Sequence, residues 1–292
     1  MDHLWILLAL SAALTGGTGD ALTKKVLQSH DAYAVAWSRQ LGVAVFLLPC
    51  LFVLPIPPLD AVFFQAFLSA LPFETVAYLC YIRAIQSSPL SLTVPFLAFT
   101  PAVLIGLPYL ILGESVSLLG GIGIVFIGVG SYCLNLSDVR KGFWAPFRAI
   151  GREKGSLLMI VTAVLFGFTN TFSKQAIAHS SAFFFGATYN LAFFVILSPF
   201  LLTRRRIDLT IRLDALRASL MPGFFAAATV IFATLAMSLV NVAYTVALCR
   251  LSLLVGVFYG RFLFHEAGFR QRLFGTVLML AGLATIVLGQ EG

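Results

Sequence analysis

The sequence predicts an all-α integral membrane protein, ten transmembrane helices arranged as two inverted five-helix repeats. Three observations predict it: ten apolar stretches of membrane-spanning length, an internal duplication, and sparse charge crowded onto one side. Apolar residues make up 60% of the 292 and charged ones only 11%. A soluble domain of this size needs a charged surface, which 31 acidic and basic residues (19 + 12) cannot supply.

The apolar stretches run approximately over 4–24, 32–54, 60–84, 90–112, 118–136, 156–176, 182–202, 218–238, 241–264 and 273–289. At 1.5 Å per residue each approaches the thickness of a bilayer's hydrocarbon. The backbone must bond internally there, so the stretches are helices; barrel strands would be half as long and alternate in polarity. The first stretch, DHLWILLALSAALTGGTGDALTKK, lacks the basic start of a secretory signal and counts as span one. Spans eight and nine are separated only by SLVN near 238–241.

Within LILGESVSLLGGIGIVFIGVG, residues 110–130, Glu114 is the lone charge, and FLFHEAGFRQRLFGTVLMLAG, 262–282, carries Glu266 at the same spacing to its glycines. Adding 152 takes Glu114, Gly123 and Gly130 to Glu266, Gly275 and Gly282, and Ala84, Thr93 and Val94 to Ala236, Thr245 and Val246. Nearer the start the offset is 150, matching Ala13, Gly17 and Lys24 with Ala163, Gly167 and Lys174. The division is a first repeat at 1–137, a basic linker at 138–155 and a second repeat at 156–292. Five spans per half is an odd number, so the halves lie inverted, a common plan for carriers that alternate access.

Sixteen lysines and arginines fall on one side of the spans, at 24–25, 83, 140–154, 204–217 and 261–272, and Lys174 alone on the other. Positive-inside reasoning puts those connections in the cytoplasm and both termini outside. The net charge of +7 therefore has a membrane origin, and its dispersal over short loops with few aromatics argues against nucleic acid.

Glu114 and Glu266 fall where spans four and nine end, as helix-end structural acids that cap or tether a neighbouring helix start; a gating or proton role is the alternative. Gly123 and Gly130, like Gly275, Gly282 and Gly289, recur every seven residues and predict close backbone packing. Gly16, Gly17 and Gly19 loosen span one just before Asp20 and Lys24; the matching FGFTNTFSKQ holds Asn170 and Lys174. The two lysines either snorkel to the interface or form a charged wall of a central cavity.

Arg39 and Glu74 lie about 12–14 Å from the basic face by helical rise, deep enough that each needs a partner or a wet cavity; they are placed to pair with each other. Glu74 is the candidate for proton coupling. Arg250 sits mid-span with no acid within four positions and needs solvent, a substrate anion or an acceptor such as Glu74. Trp37, Tyr78, Tyr81, Tyr189 and Tyr244 lie beside polar residues and are candidates to line a cavity. Span four carries Pro95, Pro101 and Pro108 while span nine has none, so the first half is expected to hold the more deformed element.

No GxxxxGK[ST], HExxH or CxxC run occurs, and His3, His30, His179 and His265 are scattered. The sequence therefore points away from an enzyme, with no catalytic residue, cofactor or metal site expected. Cys50, Cys80, Cys133 and Cys249 read as small buried hydrophobes. No filter-like sequence suggests a channel.

The stretches AIQSSPLSLTVPFLAFTPAVLIGLPYLILGESVSLLGGIGIVFIGVG, 84–130, and NVAYTVALCRLSLLVGVFYGRFLFHEAG, 241–268, resemble the two repeats of the EamA-type group of the drug/metabolite transporter superfamily. The specific elements are Pro101 with Gly113 and Glu114, the pattern holding Tyr244 and Arg250, and Glu266. The resemblance implies a ten-helix secondary carrier for amino acids, other metabolites, drugs or sugar-phosphates, often working outward and proton-coupled or facilitative. It implies cavity-lining roles for Lys24, Lys174, Tyr244 and Arg250. Relatives typically keep both termini in the cytoplasm, against the charge tally here; paired relatives of opposite orientation occur, so a homodimer or a differently oriented partner is an expectation. His265 replaces the glycine that precedes Glu114.

The expected function is thus transport of a small metabolite, amino acid or amphipathic compound across a cell (inner) membrane by alternating access, as exporter or exchanger. The partners are the lipid bilayer, the substrate and, as coupling ion, the proton. The candidate cavity residues are Lys24, Arg39, Glu74, Tyr78, Tyr81, Lys174, Tyr189, Tyr244 and Arg250. The alternatives are a lipid-headgroup translocator, which requires a lateral opening, and a non-transporting scaffold or partner subunit, which requires a dry core between the halves.

Overall fold

Packing in lipid cannot rely on expelling water between helices; small residues that let backbones approach must do that work. The computed structural model describes residues 3–53, 55–87, 94–135, 154–202, 209–262 and 269–289. Helix α1 is Leu4–Leu27, α2 Ala32–Val53 and α3 Ala61–Ser87; a 3-10 segment, Val94–Phe99, leads into α4, Thr100–Leu112, followed by α5, Leu118–Asn135. The second half is α6, Lys154–Ala178; α7, Ala182–Leu202; α8, Leu209–Leu239; α9, Val242–Cys249; α10, Ser252–Phe262; and α11, Phe269–Leu288. Helix α6 starts two residues inside the expected linker 138–155, whose remaining residues, like His265 and Glu266, lie outside those described.

Side-chain caps start several of the helices. Asp31 Oδ1 accepts the N–H groups of Tyr33 and Ala34 at 3.0 and 3.2 Å, opening α2. Ser181, 150 positions on, accepts from Phe184 N–H at 3.2 Å and opens α7. Asn241 does the same for α9 through Ala243 N–H at 2.8 Å. Each such cap is worth about 1 kcal/mol.

The bundle is multi-span and all-helical. Among the described residues seven helical stretches are long and apolar enough to span a membrane, while Phe96–Leu112, Leu118–Cys133 and Phe274–Leu288 are shorter apolar helices. Helix α4 stops at Gly113, whose φ of 69° turns the chain left-handed, with Glu114 N–H donating to Pro108 O at 3.3 Å. The 18 residues of α5 rise about 27 Å, just under the roughly 30 Å of hydrocarbon. Phe52, Leu110 and Leu118, each about four-fifths exposed, face outward as lipid-facing side chains do.

Helix pairs repeat across the halves in an inverted pattern. Helix α3 packs along α6 as α8 packs along α1, while α2 meets its own counterpart α7 and α5 meets α11. The glycines give this atomic form. A Cβ on Gly123 would stand 2.6 Å from Gly282 O and one on Gly282 2.6 Å from Gly123 O; a Cβ on Gly130 would stand 2.7 Å from Gly275 O. Since Gly275 and Gly282 are the counterparts of Gly123 and Gly130, each glycine touches the counterpart of the other, the reciprocity of an isologous contact. Likewise Gly17 abuts Val255, and Gly167 abuts Val103, its counterpart at 152.

Proline content misled the comparison of spans four and nine. Both are broken, and at matching positions: the 3-10 segment ends before Thr100, and α9 ends before the turn that leads to Ser252, 152 residues later. At the proline-free break the ladder tightens to i→i−3 bonds, Leu251 N–H to Leu248 O at 2.9 Å and Leu253 N–H to Arg250 O at 3.1 Å. Gly17 of α1 lies against the Ser252 carbonyl there, where its absent Cβ would come within 2.6 Å. Tertiary packing thus accompanies in one half what prolines accompany in the other.

Candidate functional site

Between the halves lies a cavity of about 480 Å³. Helix α1 contributes Ala12, Gly16 and Asp20; α2 Arg39, Gln40 and Val43; α3 Glu74 and Tyr78; α6 Phe166, Thr169, Asn170 and Ser173; α7 Phe185, Tyr189, Asn190 and Phe193. Helix α8 supplies a mostly small and apolar wall including Ala226, Thr229, Val230, Ala233, Thr234 and Met237, and the broken ninth span adds Cys249 and Ser252. Cys249 is therefore half-buried wall rather than core filler.

The lining is duplicated position by position but not chemically. Gly16 and Phe166, Asp20 and Asn170, Arg39 and Tyr189, Gln40 and Asn190, and Val43 and Phe193 are each 150 apart, and all line the cavity. With the offset of 152, Glu74 and Tyr78 correspond to Ala226 and Val230, which line it too. Every carboxylate and guanidinium of the wall belongs to the first half; the second half answers with amides, a phenol and alkyl groups.

Of the residues singled out in the sequence, Arg39, Glu74, Tyr78 and Tyr189 meet in this cavity, whereas Lys24, Tyr81, Lys174, Tyr244 and Arg250 are not among its lining. Arg39 and Glu74 do not pair. Arg39 Nη2 instead bonds Asp20 Oδ1 at 3.3 Å. Asp20 lies seven residues before the end of α1 and Arg39 seven after the start of α2, so the antiparallel hairpin sets them at one depth. Arg250 does not reach Glu74 either: it closes α9 at the helix break, its Nε is buried without a hydrogen-bond partner, and Asp20 and Tyr81 lie within electrostatic range. Glu74 makes no ion pair among the described residues; Thr169 is the polar side chain nearest in interaction, and Tyr78 and Tyr189 lie within its electrostatic range. The hydroxyl of Tyr189, a residue only 7% exposed, has no hydrogen-bond partner among the described residues.

Among the described residues the ion pairs between the halves gather at one end of the bundle. Lys174 Nζ donates to the carbonyl of Met237 and, at 2.9 Å, to that of Val240, closing the C-terminus of α8, and pairs with Glu114 Oε1 at 3.5 Å. Glu114 Oε2 accepts Val242 N–H at 3.4 Å, at the first turn of α9. Ser117 N–H donates to the Tyr244 hydroxyl at 3.0 Å, and that phenol fills the space over Gly120. His179 Nδ1 meets Asp60 Oδ2 at 2.7 Å. Nearer the other end Trp37 Nε1 donates to Ser198 Oγ at 3.1 Å and the hydroxyls of Thr18 and Tyr259 meet at 3.4 Å; Trp37 stands apart from the cavity wall. At the other end Asp20 keeps its side chain 71% exposed. The cavity is thus pinned at the end of α6 and open toward the end of α1.

Sequence reasoning passed over Gln40, Asn190 and Thr169, and treated Asp20 and Asn170 only as neighbours of the lysines. The 150-residue offset joins Asp20 to Asn170 and Gln40 to Asn190 and would have found four of the five.

Residues 3–136 and 153–288 each match the model of the EamA-like transporter family. The chain belongs to the EamA-like transporter family. With it comes membership of the drug/metabolite transporter superfamily, whose EamA-like members are transporters and not enzymes. No curated protein matches the chain. A protein solved by crystallography shares the EamA-like chain's fold with a TM-score of 0.73 at 15% identity, over 97% of this chain and 96% of that one. The EamA-like bundle is a multi-pass integral membrane protein whose transporter family and fold are consistent with secondary transport.

Proposed function

We propose that this chain is a secondary carrier, an exporter or exchanger, that moves small metabolites, amino acids or amphipathic compounds by alternating access. The observation that carries the reading is the cavity itself: it lies between position-matched residues of two inverted halves, and among the described residues the ion pairs joining those halves lie at one end only. Such a cavity is of the size that encloses a small ligand, and polar groups line it where a scaffold would need a dry core. Arg39, Gln40, Tyr78, Tyr189 and Asn190 serve as the orienting groups. Glu74 is the coupling group, since it lines the cavity without a basic partner and is free to exchange a proton. Lys174, Glu114 and Tyr244 act outside the substrate site, as the pins of the closed end.

The test is flux in proteoliposomes of known orientation, with a labelled metabolite panel and with or without a proton gradient. Saturable flux that a gradient accelerates in wild type but not in Glu74→Gln supports the reading. Folded protein that moves no compound in either direction would sink it.

A further inference from the structure

Resting on the carrier reading, we infer that the cavity selects monocationic amphipaths, with an ammonium group set against Glu74 and an aromatic or alkyl body held between Tyr78, Tyr189 and Phe193. The argument begins with charge. Asp20, Arg39 and Glu74 are the carboxylates and bases that line the cavity among the described residues. Asp20 and Arg39 are in contact and cancel at the open end. Arg250 stands outside the lining, at the break between α9 and α10, and is not among the charges of the wall. Among the described residues Glu74 is left as the one charge of the wall without an ion-pair partner, and a carboxylate withdrawn from bulk water requires a proton or a cation.

The surroundings of Glu74 fit an organic cation better than a metal ion or an anion. Phe193 packs edge-on against Tyr78 at 5.7 Å and Phe185 stacks on Tyr189 at 4.9 Å, so two phenol-bearing aromatic pairs flank the acid. Ring faces attract ammonium groups, and the unpartnered Tyr189 oxygen adds an acceptor for an ammonium N–H. The position matching Glu74 in the second half is Ala226, so the duplication supplies one acid and the site takes one positive charge. The remaining polar groups near it, Thr169, Asn170, Gln40 and Asn190, are neutral and set hydrogen bonding rather than charge.

The test uses three probes on one skeleton, 2-phenylethylamine, 2-phenylethanol and 3-phenylpropanoate, titrated into the full chain in lipid nanodiscs by calorimetry. The expected order is amine at least about tenfold tighter than alcohol, a difference of about 1.4 kcal/mol, with the carboxylate weakest. Glu74→Gln should abolish the amine's preference over the alcohol, and adding Ala226→Glu to that variant should restore amine preference from the opposite wall. An alcohol or carboxylate that binds as tightly as the amine overturns the inference, as does amine preference surviving in Glu74→Gln, or no binding of any probe to folded protein. Selective amine binding without flux would leave this site standing and remove the carrier reading; flux of neutral or anionic compounds indifferent to Glu74→Gln would do the reverse.

Discussion

Gln40 and Asn190, 150 positions apart, bond to each other: Gln40 Nε2 donates to Asn190 Oδ1 at 3.4 Å across the middle of the cavity. Residues that are each other's counterparts and also touch must lie on the axis relating the halves. Motion that exchanges the two halves' conformations leaves points on that axis together. In a background whose four cysteines are replaced, a short thiol-reactive linker between Gln40→Cys and Asn190→Cys should therefore leave most flux intact. The same linker between Asp60→Cys and His179→Cys, at the pinned end, should stop it. Equal loss from both cross-links would show that the axis is misplaced.

Lys174 holds two α8 carbonyls and Glu114 at once, so Lys174→Met leaves three acceptors without their donor. Both ionised side chains are mostly buried, at 13% and 24% exposure, and the loss should cost about 1–3 kcal/mol in thermal unfolding. It should also open the pinned end. Cys249 lines the cavity and reports this directly: a charged thiol reagent applied from the pinned side should label it faster in Lys174→Met than in wild type. Unchanged labelling would mean the ion pair does not close that end.

The α5–α11 seam tolerates no side chain. Gly123→Ala or Gly282→Ala would press a methyl group to 2.6 Å from a backbone carbonyl, and overpacking of this kind costs about 1–3 kcal/mol. Gly106→Ala is the control, since nothing lies within 4 Å of its Cβ position, and it should be neutral or stabilising by up to about 1 kcal/mol. Melting of the three variants in detergent checks the ranking.

The Asp60–His179 tether depends on pH in a direction that follows from its environment. The Phe63 N–H that Asp60 caps, and then the His179 ring beside it, hold the Asp60 carboxyl below its ordinary value of 3.8. A depressed carboxyl contributes stability that is fully present above the ordinary value and disappears as pH falls through the lowered one. Wild type should therefore lose this contribution only below about pH 4. Asp60→Asn keeps the helix cap but not the charge, and its melting temperature should fall less over that acid window. Parallel acid profiles for the two proteins would remove the tether from the stability of this end.

Much of this architecture was legible from Lys24 and Lys174 or Glu114 and Glu266, because an inherited offset marks equivalent positions whatever surrounds them. The spans were legible because hydrocarbon imposes one rule on every backbone. Partner choice was not. Arg39 and Glu74 lie at similar depth by counting residues, yet depth says nothing of which helix face meets which, and the α1–α2 hairpin brings Asp20 to Arg39 first. Lys174 read as a candidate wall of the cavity because α8's free carbonyls at Met237 and Val240 are remote in sequence. The break at Arg250 carried no proline to announce it; its tight turn lies against Gly17 on another helix.

The reciprocal glycine seam has a thermodynamic consequence. Gly123 meets Gly282 and Gly130 meets Gly275, so inverting the halves maps the set of contacts onto itself. Contacts present in both access states enter both free energies equally and drop out of the equilibrium constant between them. Substitutions along the seam should then change how much folded protein a membrane holds, not the proportion facing each side. That proportion is set where the repeats differ, by Asp20 against Asn170, Arg39 against Tyr189 and Glu74 against Ala226.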